Sequence, residues 1–134
     1  MTLQDTEFVH LHVHSEYSLA DGLLKVKDLV KRAATAGMPA VALTDRNNLF
    51  ALVKFFEACM AEGVKPILGA EVWVREGPEG SAERLLLLAR NLHGYRNLLT
   101  LISASYTGTA LRGVLEEQDV FAAKEGLIVL SGGV

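Results

Sequence analysis

The pattern of hydrophobic and polar positions changes its period along the chain. Residues 8–14 alternate apolar side chains with three histidines, and this period of two predicts a strand with the imidazoles on one face. From Val26 to Gly37 the apolar positions recur every three or four residues, which predicts an amphipathic helix. Pro39 after Gly37 is typical of a helix stop. The chain is therefore expected to begin as a strand that is followed by a helix.

The rest of the chain is predicted to continue this alternation. Short apolar runs predict strands at residues 40–43, 66–74, 85–89 and 127–130, and helical spacing predicts helices at residues 49–61 and 94–105. Strands separated by helices of about ten to fifteen residues indicate parallel βα units, so we predict an α/β fold. Gly132 and Gly133 follow the last strand almost at the chain end. We interpret the chain as a larger barrel that is truncated before closure.

The composition is that of an ordinary globular domain. Of the 134 residues, 50% are hydrophobic and 22% are charged, and this length corresponds to at most one domain. The formal net charge of −3 excludes a broad basic surface that would track nucleic-acid phosphates. Contact with DNA is therefore expected only at a local site or through other parts of a parent protein.

Cysteine usage and short apolar runs predict a cytoplasmic location. Cys59 is the only cysteine, so no intramolecular disulfide can form, as is usual in a reducing compartment. Residues 1–10 lack the basic and apolar regions of a secretory signal. Apolar runs such as residues 85–89 are far shorter than the ~20 residues that span a bilayer, so no membrane contact is expected.

Residues with metal-binding chemistry lie in or just after the predicted strands. His12 and His14 are two positions apart, so both imidazoles would point to the same side of a strand. Asp21 in the following loop and Glu71 in the third predicted strand would add oxygen ligands. This mixed set suits zinc, manganese or iron. A histidine pair alone is a weak signal, because strand histidines that are merely half exposed or hydrogen-bonded are more common than ligands.

Three further polar residues lie beside these candidates. Asp45 follows the second predicted strand and either caps the next helix or belongs to the same site; the sequence leaves both interpretations open. His10 belongs to the same alternating run as the histidine pair, and Arg84 begins the fourth predicted strand. Because functional groups in parallel βα folds gather at one edge of the sheet, we expect these residues near the candidate ligands.

Several strings, in a fixed order, carry a family resemblance over about residues 7–133. They are FVHLHVHSEYSLADGL, PAVALTDRNNLF, KPILGAEVWV, LLLLARNLHGYRNLLTLIS and EGLIVLSGG. The chain resembles the start of the PHP (polymerase and histidinol phosphatase) domain of bacterial DNA polymerase III alpha subunits. The string YSLADGL is similar to the main replicative type rather than to its error-prone paralogue.

The resemblance implies a fold and a ligand set. The fold is a distorted PHP-type (β/α) barrel that holds up to three metal ions. Residues 7–134 would form the N-terminal portion of that domain and residues 1–6 a tail. The metal-ligand positions carried over to this chain are His12, His14, Asp21 and Glu71.

Two positions depart from the family pattern. Arg46 stands where the family has the histidine of Thr-Asp-His, and Arg84 stands where it usually has a histidine. Arginine offers no lone pair and cannot ligate a metal, whereas its guanidinium pairs readily with carboxylates such as Glu71 or Asp21. We therefore predict a vestigial site in which charge pairing has replaced metal binding. The alternative is a partial site that keeps one zinc or manganese ion through the histidine pair and Glu71.

The resemblance also implies a function for the parent protein. That protein would be a DNA-directed DNA polymerase of chromosomal replication, which uses Mg²⁺ and carboxylates in a domain outside this chain. No catalytic residue for nucleotidyl transfer is expected here, and the chain alone is predicted to be inactive. The PHP part would support the fold and dock the proofreading exonuclease subunit and other holoenzyme subunits, with DNA contacted through the parent protein.

Two other functions stay open on the sequence. The first is an active metal-dependent phosphoesterase or exonuclease of the PHP family, against which the two arginines argue. The second is a pure interaction module with an incidental polar cluster. These functions differ in whether the chain hydrolyses phosphate esters and in whether a polymerase follows in the same protein.

Overall fold

The computed structural model describes residues 8–21, 24–107 and 113–132, except for the side chains of residues 19–21. The predicted tail, residues 1–6, lies outside the described part, and so does the side chain of Asp21. The described residues form a short 3-10 helix (Glu16–Asp21), helices α1 (Val26–Thr35), α2 (Leu52–Glu62), α3 (Leu92–Thr107) and α4 (Glu117–Ala122), and strands β1 (Ala40–Arg46), β2 (Lys65–Arg75), β3 (Glu83–Ala89), β4 (Val114–Glu116) and β5 (Leu127–Ser131).

The strands form one open sheet in the order β1-β2-β3-β5, with β4 added along the end of β2. β2 is parallel to β1 and to β4, and antiparallel to β3. The α/β fold with parallel βα units and an unclosed sheet is therefore confirmed. β3 departs from the alternation because only the seven residues 76–82 separate it from β2. A parallel crossover needs about a dozen or more residues, so the chain turns back instead.

The prediction of a regular strand over residues 8–14 is wrong. The carbonyl of His10 accepts a hydrogen bond from Ala42 N–H at 2.9 Å, and that of Val13 accepts one from Thr44 N–H at 2.8 Å. Three residues on one side thus match two on the other, as in a β-bulge, and the ladder is not regular. The extended segment still runs along β1, which brings its histidines to the sheet.

The sheet is covered by two hydrophobic clusters. α1 and α2 pack on one side of β1, where Val30 and Phe55 are fully buried. α3 packs on β2 and β3, where Leu87 and Leu98 are fully buried. β1 and β2 are therefore enclosed along most of their length, as expected for parallel strands. In the described part of the chain, no helix is both long and apolar enough to cross a membrane.

Candidate metal and ion-pair site

Glu71 lies at the centre of the candidate site. It occupies the middle of β2, opposite Arg46 of β1 and Leu86 of β3, and it is only 2% exposed. Its neighbours along the strand, Ala70 and Val72, are fully buried. A carboxylate in such surroundings loses its hydration, so it requires partners within the protein.

Two histidines approach the Glu71 carboxylate from the segment beside β1. His12 Nε2 lies 3.2 Å from Oε1, and His14 Nε2 lies 3.0 Å from Oε2. The two imidazoles are nearly perpendicular, with centroids 5.1 Å apart. One potential ligand atom from each of the three residues lies within 4.8 Å of the other two. This is the spacing that a single bound cation requires.

Two arginines also approach the same carboxylate. Arg46 ends β1 next to Glu71, and its Nε donates to Oε2 at 2.9 Å. Arg84 lies near the start of β3, where the antiparallel register sets it opposite Trp73, two residues after Glu71. Its Nη1 is 3.6 Å from Oε1, and its guanidinium lies over the Trp73 ring at 5.6 Å. Arg46 therefore makes a charge-assisted hydrogen bond, whereas Arg84 contributes a looser ion pair.

The carboxylate and one imidazole are not fully satisfied by these contacts. Among the described residues, Glu71 Oε1 and His14 Nε2 are buried side-chain atoms without a hydrogen-bond partner, although His12 lies 3.2 Å from the first and Glu71 Oε2 lies 3.0 Å from the second. Buried polar atoms of this kind call for an explanation, and a bound ion is one. The residues present thus fit a single cation at three ligand atoms, while Arg46 competes for one oxygen of Glu71.

Asp45 does not join this cluster and does not cap α2, which begins seven residues later at Leu52. It is 2% exposed, and its carboxylate accepts hydrogen bonds from Ser15 and Ser18 at 2.6–2.7 Å. Neither serine was expected at the site, although both follow His14 closely. His10, the other residue expected beside the site, is exposed and packs edge-on against Phe8.

The structure is an α/β domain in which a buried glutamate is contacted by two histidines and two arginines. Comparison with known proteins identifies its family. The family description of the PHP domain matches residues 10–134. The chain therefore belongs to the PHP domain family.

Individual relatives are DNA polymerase subunits. The chain is 49% identical over 127 residues to the DNA polymerase III subunit alpha of Pseudomonas fluorescens, covering 92% of this chain and 11% of that protein. It is 47% identical over 134 residues to the Escherichia coli K12 subunit, covering 98% of this chain and 12% of that protein. The chain thus spans about a ninth of the length of these relatives.

A solved structure shares the fold. An amidohydrolase from Chromobacterium violaceum, with bound sulfate and no metal, superimposes with a TM-score of 0.54. The match covers 72% of this chain and 34% of that one, at 24% identity. At this identity the likeness supports the fold alone.

Proposed function

We propose that this chain is the PHP portion of the alpha subunit of a replicative bacterial DNA polymerase III. The observation that carries the proposal is the identity of 49% and 47% to two such subunits over nearly the whole chain. The parent protein would be a cytoplasmic DNA-directed DNA polymerase. Its Mg²⁺-dependent active site and its contacts with primed DNA would lie outside these residues.

The PHP portion itself would be structural and would carry no catalytic residue. Arg46 and Arg84 stand at positions where the family has ligands, and both contact Glu71. Their positive charges balance the carboxylate that a metal would otherwise balance. The domain would serve as a platform for the proofreading exonuclease subunit and other holoenzyme subunits, as the polymerase assignment implies.

A residual cation, if present, would be zinc or manganese. His12, His14 and Glu71 would hold it, and a side-chain contribution from Asp21 stays a prediction. A cation held there could act as a Lewis acid on a phosphate oxygen. Within the chain, Arg46 would limit the affinity by keeping Oε2 of Glu71 in a hydrogen bond.

Metal content measured by plasma mass spectrometry tests the vestigial site. The full-length protein is compared with the variant Arg46→His/Arg84→His, after both have been incubated with zinc or manganese and desalted. We expect the wild type to retain little metal and the variant to retain about one or more ions per chain, because two ligand positions are restored. Stoichiometric metal in the wild type would overturn the vestigial assignment.

An active phosphoesterase is the second candidate function. The observation that favours it is the unsatisfied pair of buried atoms, Glu71 Oε1 and His14 Nε2, beside His12. The test is manganese-dependent hydrolysis of p-nitrophenyl phosphate by the full-length protein. Activity that disappears in His12→Asn/His14→Asn but persists in the control His10→Asn would establish this function. Equal background rates in all three proteins would exclude it.

Primer extension tests the polymerase assignment separately. The full-length protein with Mg²⁺ and deoxynucleoside triphosphates should extend a primed template, and Arg46→His/Arg84→His should do so at a similar rate. The absence of extension by the wild type would contradict the assignment, whatever the metal content of the PHP portion.

A further inference from the structure

The segment that carries the histidine pair is attached to the sheet by few backbone hydrogen bonds. Among the residues that the structure describes, only the carbonyls of His10 and Val13 accept backbone N–H groups of β1, and residues 8–14 form no regular ladder. Strand pairing therefore does not suffice to hold the two imidazoles opposite Glu71.

Side chains at the end of β1 supply the missing attachment. Thr44 Oγ1 lies 3.0 Å from Val13 N and accepts its hydrogen. One residue further, the Asp45 carboxylate accepts the N–H of Ser15 at 2.6 Å and its hydroxyl at 2.7 Å. The same carboxylate accepts the hydroxyl of Ser18 at 2.7 Å. We call Ser15, Ser18 and Asp45 the serine–aspartate clasp.

The clasp also contacts Arg46. Ser18 Oγ, which donates to the clasp carboxylate, accepts the N–H of Arg46 at 3.1 Å. His14 directly precedes the clasp and Arg46 directly follows it in the chain. These two residues contact the same oxygen of Glu71, Oε2, at 3.0 and 2.9 Å. The clasp therefore links the two elements whose side chains meet on that oxygen.

We propose that Asp45 is a positioning residue of the Glu71 site, which holds His14 and Arg46 in place on Glu71 through the two serines. The inference rests on the proposed function because it takes the Glu71 cluster as the functional site. A carboxylate suits this task since all three contacts come from donors and a carboxylate accepts at both oxygens. An Asn side chain has only one acceptor oxygen, and its amide group would face a donor.

The test measures the accessibility of each histidine separately. The full-length wild type and its Asp45→Asn variant are treated briefly with diethyl pyrocarbonate at neutral pH, and the modification of each histidine is followed by peptide mass spectrometry. We expect His14 to be modified about tenfold faster in the variant, because loss of a charge-assisted hydrogen bond shifts a local equilibrium by roughly that factor. His93, which is exposed and distant from the clasp in sequence, serves as the internal reference.

Two matched variants separate positioning from general loosening. Asp28→Asn makes the same chemical change at an exposed position of α1 and should leave all rates unchanged. Ser18→Ala removes one hydroxyl and should raise the His14 rate less than Asp45→Asn does, since Ser15 still holds the carboxylate. If Asp45→Asn does not fold, Ser18→Ala carries the test by the same criterion.

The outcomes distinguish this inference from the proposed function. A His14 rate in Asp45→Asn equal to that of the wild type would overturn the inference, and so would a parallel rise at His93, which would indicate global opening. If His14 in the wild type is already as reactive as His93, the Glu71 cluster itself is not formed and the proposed site fails first.

A second measurement uses metal affinity. In the Arg46→His/Arg84→His protein, addition of Asp45→Asn should weaken manganese binding by about 10–100-fold, the usual effect of removing a group that orients a metal ligand. Unchanged affinity in a variant that binds manganese would overturn the inference. If the ligand-restored protein binds no metal, the vestigial-site proposal is wrong, and the histidine modification rates still decide the role of Asp45.

Discussion

Two buried carboxylates lie on neighbouring strands of this domain, and their surroundings differ in kind. Asp45 and Glu71 are each 2% exposed, and Arg46, the residue after Asp45, is paired with Glu71 in the sheet. Asp45 is held by one backbone N–H and two hydroxyls. Glu71 is contacted by two guanidinium groups and two imidazoles.

Because of this difference, the contacts of Asp45 are fixed, whereas those of Glu71 can be exchanged. The neutral donors around Asp45 belong to a short stretch of chain that cannot leave without unfolding the segment. The partners of Glu71 are four side chains from three parts of the chain, namely the segment that carries both histidines, β1 and β3. A cation could replace an arginine at Glu71 with little change in the backbone, whereas no such replacement exists at Asp45. The geometry therefore suits Asp45 to holding the backbone in place and Glu71 to exchanging its partners.

The largest effect is expected on removal of the Glu71 charge. Glu71→Leu removes the buried carboxylate that both guanidinium groups contact, which should lower the free energy of local opening of β1 and β2 by about 3–5 kcal/mol. Hydrogen exchange with mass spectrometry on the full-length protein measures this. In an Arg46→Leu/Arg84→Leu background most of the loss should disappear. An equal loss in both backgrounds would show that the charges are not coupled.

Removal of the Asp45 carboxylate should have a somewhat smaller effect. Asp45→Ala leaves three buried donors without their acceptor, so we expect a loss of about 2–3 kcal/mol in amide protection over residues 13–18. The exposed control Asp28→Ala should change protection by less than about 0.5 kcal/mol. Replacement of Arg46 by a neutral residue should not restore the amide protection that Asp45→Ala loses. Restored protection would contradict the distinction between the two carboxylates.

The two arginines should differ from each other when each is replaced by lysine. Arg46→Lys loses the hydrogen bond at 2.9 Å and should lower protection around Glu71 by about 1 kcal/mol. Arg84→Lys should cost less than about 0.5 kcal/mol, because Arg84 approaches only to 3.6 Å and lysine keeps the charge over Trp73. Hydrogen exchange of β2 in both variants checks the order. A larger effect from Arg84→Lys would reverse the assignment of the two contacts.

The local pattern predicted the α/β fold and drew attention to most of the side chains that surround Glu71. The prediction that His12 and His14 point to the same side requires only the local geometry of extended chain. A carboxylate within an apolar strand indicates that polar partners lie near it. The structure places Arg46 and Arg84 against that carboxylate. Their role as replacements for metal ligands stays a prediction.

Features that depend on long-range contacts could not be read from the sequence. The bulge beside β1 arises from how residues 8–14 meet a strand about 30 residues away. The clasp likewise joins Asp45 to serines about 30 residues earlier, so local sequence could not decide between a helix cap and a site residue. The antiparallel turn into β3 was missed because the predicted strands were shorter than the observed ones, so the connection between them looked longer than the seven residues of the structure.

The thiol of Cys59 offers a comparison with the two carboxylates, because it is fully buried and burial accounts for the shift of its pKa. Its replacement should have the smallest effect on stability at neutral pH. Burial raises the pKa of Cys59 from its usual value of 9.0 to about 11. Folding therefore favours the protonated thiol, and the stability associated with it is fully present below pH 9 and is lost as the pH rises towards 11. The peptide containing Cys59 should resist iodoacetamide at pH 8, since the thiolate is about a hundredfold rarer than at an ordinary cysteine. Opening free energies measured from pH 8 to 11 should fall in the wild type and fall less in Cys59→Ala. Rapid alkylation at pH 8 without unfolding would show that burial alone does not keep this group neutral.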